Sequence, residues 1–112
     1  MQIIVFVALV PRYGFAQEQL TLRQRGEELF QRMEYAEAIP IYERLLDSKR
    51  PRVLDMERLA MSWMYLNDYE QAENWFARAV QTSGHRPEAH WGYVQALQQN
   101  GKYTEAKVQL LE

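Results

Sequence analysis

His85 and His90 are the only histidines in a chain of 112 residues that has no cysteine. They flank a turn rather than standing at i and i+4 of one helix, and a metal centre needs more ligands in a closer cluster. The absence of cysteine excludes disulfides, thiolate zinc sites and thiol nucleophiles. Ser48, Ser62 and Ser83 lack the context of a nucleophile elbow. Gly14, Gly26, Gly84, Gly92 and Gly101 are isolated, so no glycine-rich loop can cradle a phosphate. Glu27 with Glu28, and Glu70 with Glu73, have arginines nearby and read as solvated helix faces rather than acid–base pairs. The sequence therefore assigns no catalytic residue, no metal and no cofactor, and points away from an enzyme.

Charge narrows the partner. Lys and Arg number 13 against 15 Asp and Glu, a net charge of −2 with no block of one sign. Nucleic acid normally requires a basic stripe, which is missing. An apolar fraction of 47% with 25% charged residues is a folding composition, and the length suits one small domain.

The first residues differ in kind. Ile3 to Val10 reads IIVFVALV, too short for a membrane span of about 20 residues. It suits the apolar core of a secretory signal peptide, with Gly14 and Ala16 as the small residues before cleavage. Residues 1–16 would then be removed, leaving Gln17 first. Met1-Gln2 lacks the usual base, and Arg12 interrupts the approach to the cleavage site. The alternative is an apolar strand or helix of the mature fold, in which case the protein stays cytoplasmic. No cysteine follows the run, so a lipid anchor is not supported.

Past Gln17, helix formers dominate and breakers come in clusters at Ser48–Pro51, Asn67-Asp68, Ser83–Pro87 and Asn100-Gly101. Apolar positions recur at three- and four-residue spacing between them, which predicts six helices over about 18–32, 36–48, 53–66, 69–82, 87–99 and 103–112. Short connections make sequential neighbours antiparallel. Pro40 falls within the second helix pattern and is expected at the edge of its first turn.

The segments repeat. Tyr35, Tyr69 and Tyr103 stand 34 residues apart, as do Ala38, Ala72 and Ala106, and then Tyr42, Phe76 and Leu110. Gly26 and Ala60, and Leu29, Trp63 and Leu97, keep the same period upstream. Small residues let paired helices approach, the aromatic four residues after each alanine fills the space between pairs, and the tyrosine packs at the turn. Such a pair cannot bury both faces alone and must stack on another.

A 34-residue helix–turn–helix with this spacing resembles the tetratricopeptide repeat over residues 19 to 112, best in the second copy, where Leu59, Ala60, Trp63, Tyr69, Ala72, Phe76 and Ala79 fill signature positions. The resemblance implies an all-α, right-handed superhelical solenoid of about two and a half antiparallel helix pairs, with repeats over about 19–52, 53–86 and 87–112. The third is expected to be truncated, with the natural protein continuing beyond it. In this family the first helix of each pair lines a concave groove that holds a protein or peptide. The corresponding positions are Arg23, Glu27 and Phe30, then Glu57, Met61, Met64 and Tyr65, then Trp91, Gln95 and Gln98. The methionines and aromatics would form an adaptable apolar strip, and Arg23 with the glutamates could orient a peptide. No cluster of Lys and Arg is visible among these positions, so a clamp for acidic peptide tails is not expected.

A narrower likeness follows. YAEAIPIYERLL, YLNDYEQAENWFARAV and PEAHWGYVQALQQNGKYTEA, after a secretory start, resemble the opening of Gram-negative envelope proteins that carry these repeats, a β-propeller-like region and an OmpA-type peptidoglycan-binding domain. That resemblance implies an exported, non-catalytic scaffold of the periplasm or outer membrane, reaching peptidoglycan only through domains absent from this chain. Alternatives are a self-associating structural module and a cytoplasmic adaptor.

Overall fold

The computed structural model describes the backbone of residues 2–111 and the side chains of residues 17–111. Six helices follow one another: α1 Gln2–Gln31, α2 Tyr35–Leu46, α3 Val53–Tyr65, α4 Tyr69–Val80, α5 Pro87–Gln99 and α6 Tyr103–Leu110. No strand occurs among the described residues. Each helix packs on its neighbours in sequence, and α3 also meets α5. The chain is an all-α solenoid of antiparallel helix pairs. No described helix is long and apolar enough to cross a membrane.

The expected bounds hold within a few residues except at the start. α1 is continuous from Gln2 rather than beginning near residue 18, since a proline such as Pro11 removes a single ladder bond and need not end a helix. The signal-peptide assignment, and burial of Ile3–Val10 as its alternative, concern side chains outside the described residues.

The 34-residue period is written in the backbone. Glu34, Asp68 and Lys102 donate their N–H groups to Leu29, Trp63 and Leu97 at 2.9, 2.9 and 2.8 Å. Met33, Asn67 and Gly101 donate to Phe30, Met64 and Gln98, each at 3.0 Å. These paired bonds form the same Schellman turn three times, closing α1, α3 and α5. The turn requires a left-handed residue, and Met33, Asn67 and Gly101 have φ of 62°, 64° and 76°. The next helix then opens with Ala38, Ala72 or Ala106 bonded back to residue 34, 68 or 102.

Packing follows the repeat. Ala38, Ala60, Ala72, Ala79, Leu29, Leu59, Tyr42, Phe76 and Ala106 are buried, with Tyr35, Trp63 and Tyr69 half-buried. Gly26 is tight, since an added Cβ would stand 3.2 Å from both Ile41 Cγ2 and Tyr42 Cζ. Tyr103 and Leu110 keep the 34-residue register on α6 without the burial of their counterparts. Both are exposed, because no described helix lies beyond α6 to receive them. Pro40 is also further in than expected, six residues into α2. Pro40 and Ala36, whose carbonyl it leaves unpaired, are both exposed, so water can serve that carbonyl.

Candidate functional site

Two adjoining cavities cross the first helices of the three pairs, and Arg58 lines both. The cavity between α3 and α5 is about 530 Å³ and collects six of the groove positions read from the sequence, Glu57, Met61, Met64, Tyr65, Trp91 and Gln95. Trp91 and Tyr65 are each 55% exposed. Met61 and Met64 lie half-buried beside them. The floor is Phe76 of α4, roofed by Gly92. A Cβ on Gly92 would fall 2.4 Å from the Phe76 ring, so only glycine lets α5 come this close.

The cavity between α1 and α3 is about 650 Å³ and is lined mainly by long charged and amide side chains. Arg23 and Glu27 line it, together with Arg52, Asp55, Arg58 and Tyr42. Arg23 Nη2 donates to Asp55 Oδ2 at 3.0 Å, and Arg58 Nη2 to Glu27 Oε1 at 3.4 Å. The guanidinium of Arg58 also lies 4.4 Å over the Phe30 ring. Phe30 meets Tyr35 edge-on at 5.5 Å, and Tyr35 stacks on Tyr65 at 4.6 Å. Phe30 and Gln98 line neither cavity. Gln98 is an exposed residue near the end of α5.

The charges behave differently from expectation. Glu57 is 1% exposed and accepts from Nε and Nη2 of Arg86. That hydrogen bond, partly opposed by burial, raises the Arg86 pKa. Glu57 is thus committed to an internal ion pair, because a buried carboxylate without a partner is too costly to leave open, while the more exposed Arg23 and Glu27 form ion pairs that link α1 to α3. The cationic cluster thought missing exists, as Arg23, Arg52 and Arg58 line one cavity, but Glu27, Glu28 and Asp55 line it too and balance the charge.

Three positions of the candidate site escape the sequence reading. Arg58 sits three residues before Met61, on the same helical stripe, so periodicity held the signal. Gly92 was visible as a glycine inside a helix, where it costs about 1 kcal/mol relative to alanine and so needs a reason. Arg86 lay in a breaker cluster and offered no signal. The two histidines bond to backbone carbonyls, His85 Nδ1 with Thr82 at 3.0 Å and His90 Nε2 with Gln109 at 2.7 Å. Among the described residues no group of three or more His, Cys, Asp or Glu could hold a metal.

The family model described as tetratricopeptide repeat matches residues 64–112. The matched segment spans α4, α5 and α6, including Tyr69, Ala72, Phe76, Tyr103 and Ala106. It supports reading the chain as a tetratricopeptide-repeat protein, and such repeats serve as protein–protein interaction modules, typically without catalysis. No curated protein matches the chain.

Proposed function

We propose that the chain is a non-catalytic scaffold that holds an extended segment of a partner protein across α1, α3 and α5, anchored by an apolar side chain between α3 and α5. The observation that carries this reading is the strip of Met61, Met64, Tyr65 and Trp91, with Tyr65 and Trp91 more than half exposed beside a preformed cavity. Exposed aromatics flanked by methionine make adaptable anchors for a partner's side chain. Panning the full chain against a phage-displayed library of random linear peptides tests it. Peptides with an aromatic or aliphatic anchor should enrich, and Trp91→Ala should weaken them by at least about tenfold, as expected for a central anchor, without lowering Tm. A W91A variant that binds the same peptides equally well would overturn the reading.

Export to the cell envelope, as the first module of a larger peptidoglycan-associated protein, belongs to the same proposal. The apolar run Ile3–Val10 before Gly14 and Ala16, and the resemblance described above, support it. Mass spectrometry of the mature N-terminus from a native host should find Gln17 first. An intact Met1 on a cytoplasmic protein would refute export and leave the groove reading untouched.

A further inference from the structure

The 34-residue period repeats most contacts between neighbouring helix pairs, and one of them fails to repeat. Glu57 on α3 accepts from Nε and Nη2 of Arg86 in the loop before α5. At the same register one repeat earlier stand Arg23 on α1 and Arg52 in the loop before α3. An arginine occupies the carboxylate's position, so a pair that ties loop to helix in one repeat becomes two like charges in the other. Arg23 turns instead to Asp55 at 3.0 Å, a position that is Ala89 in the next repeat. Arg52 has no ion-pair partner among the described residues, and residues 1–16 contain no Asp or Glu to supply one.

The two arginines line two cavities at once. One is the groove cavity between α1 and α3. The other, about 400 Å³, reaches from α1 to the loop between α2 and α3, where Ser48 and Arg50 join them. Among the described residues no carboxylate lines this second cavity. In the groove cavity carboxylates equal arginines in number, but each is already taken, Asp55 by Arg23, Glu27 by Arg58 and Glu28 by Arg25. Arg52 is therefore the surplus cation of the wall that both cavities share. It is exposed, and the Arg23 side chain is 28% exposed, so a group entering from the groove can reach both. Arg52 is also the N-cap residue of α3 and leaves the first N–H groups of that helix without a side-chain cap, which adds positive field at the same place.

One surplus guanidinium calls for one negative charge. A carboxylate supplies it and fits the planar fork with two parallel hydrogen bonds, as Glu57 does for Arg86. A phosphoryl group carries about two charges at neutral pH, and the second would face Glu27, Glu28 and Asp55 in the groove cavity. We infer that Arg52 is the recognition site for an acidic side chain, an Asp or Glu of the bound partner segment, which takes the place that Glu57 holds one repeat later. Arg52 makes the hydrogen bonds, and Arg23, held by Asp55, adds its charge. The inference rests on the groove being the protein-binding surface, and it names the charge read beside the apolar anchor.

The test uses the full chain and peptides enriched from the random library, measured by fluorescence anisotropy. An Asp or Glu should appear at a constant offset from the anchor residue. Replacing it by Gln should weaken binding roughly tenfold in dilute buffer, and the difference should shrink as salt rises. Arg52→Gln should bring the acidic peptide down to the affinity of its Gln version and leave the Gln version unchanged. Its Tm should stay at or above that of the wild type, since Arg52 is exposed and holds no partner in the fold. Lys49→Gln, an exposed residue of the same loop that lines neither cavity, should weaken the acidic peptide by no more than about twofold. Libraries without an acid at a fixed offset, or an R52Q variant that keeps the preference for one, would overturn the inference. So would a K49Q variant as weak as R52Q, which would reduce the effect to the diffuse charge of the loop. A phosphoserine peptide that binds about tenfold tighter than the Glu peptide would assign the site to a phosphoryl group and overturn it as well. In each case loss of binding in W91A would leave the groove reading standing. If no peptide binds, or W91A is without effect, the groove reading fails and takes this inference with it.

Discussion

Tyr42 and Phe76 occupy the same position in successive repeats, and each forms the floor of one cavity. The turns around them superimpose in pattern, down to hydrogen bonds that agree within 0.1 Å. The side chains around them nevertheless differ, with methionines and Trp91 near Phe76 and three arginines near Tyr42. Gly92 lies over Phe76, and one repeat earlier the corresponding position is Arg58. Met61 beside the Phe76 ring corresponds to Glu27 beside the Tyr42 ring. The period therefore sets where a groove runs, and a few side chains at fixed register decide what each stretch can hold. A hydroxyl on one ring and its absence on the other is the smallest such difference, and the helix packing tolerates both.

The most disruptive way to probe the comparison is to alter the glycine over each ring. Gly92→Ala drives a methyl into the buried Phe76 ring and should cost about 3 kcal/mol, read as a lower urea midpoint. Gly26→Ala meets its neighbours only at 3.2 Å and gains about 1 kcal/mol of helix propensity, so it should be nearly neutral. Equal effects would mean that Gly92 does not set the approach of α5.

Removing the cation of an ion pair comes next. Arg86→Ala strands Glu57, and Arg23→Ala strands Asp55, both carboxylates nearly fully buried. Each should cost roughly 2–3 kcal/mol. Similar losses would show that the charges of both halves are scaffold; a loss confined to one would split them.

Alkaline pH separates the halves by roughly 2–3 kcal/mol. The Tyr42 phenol titrates near 12 when folded and near 10 when unfolded. Its contribution is complete below pH 10 and disappears as pH rises through 12, because the unfolded chain loses its proton first. Tyr42→Phe should flatten this part of the Tm profile, leaving the slope from Tyr35 and Tyr93, whose pKa values are raised chiefly by burial. An unchanged profile would place the loss elsewhere.

The mildest change concerns the turns. Met33 adopts the left-handed conformation that Gly101 adopts without strain. Met33→Gly should stabilise the chain by about 1 kcal/mol in a thermal melt, and Gly101→Ala should destabilise it by a similar amount.

The solenoid, the register and the residues packed at its centre were legible because they depend on short-range pattern. Ala38, Ala72 and Ala106 are spaced as a 34-residue unit demands and are buried as that unit demands. The left-handed turn at Asn67 was visible in a breaker pair, whereas Met33 looks like any helix residue and yields to the tertiary requirement. Ion pairing was not legible. Glu57 finds Arg86, and Arg23 finds Asp55, across about one repeat of chain, and which of several nearby charges meet is decided by side-chain reach rather than spacing. Tyr42 was legible as a packing ring, but the charges of Glu27, Arg58, Asp55 and Arg23 that act on its hydroxyl were not.

The pairwise stacking of helices bears on how the molecule comes apart. Among the described residues, no side-chain hydrogen bond links groups more than 32 positions apart, and helices meet those next to or one beyond them in sequence. A chain wired this way nucleates locally and folds fast, and it loosens from its ends inward instead of melting as one unit. Amide exchange should accordingly be slowest in α3 and α4 and fastest in α6. A segment lying across α1, α3 and α5 would tie three repeats at once. Such a ligand would act as a strut, converting a string of semi-independent hinges into one stiff rod.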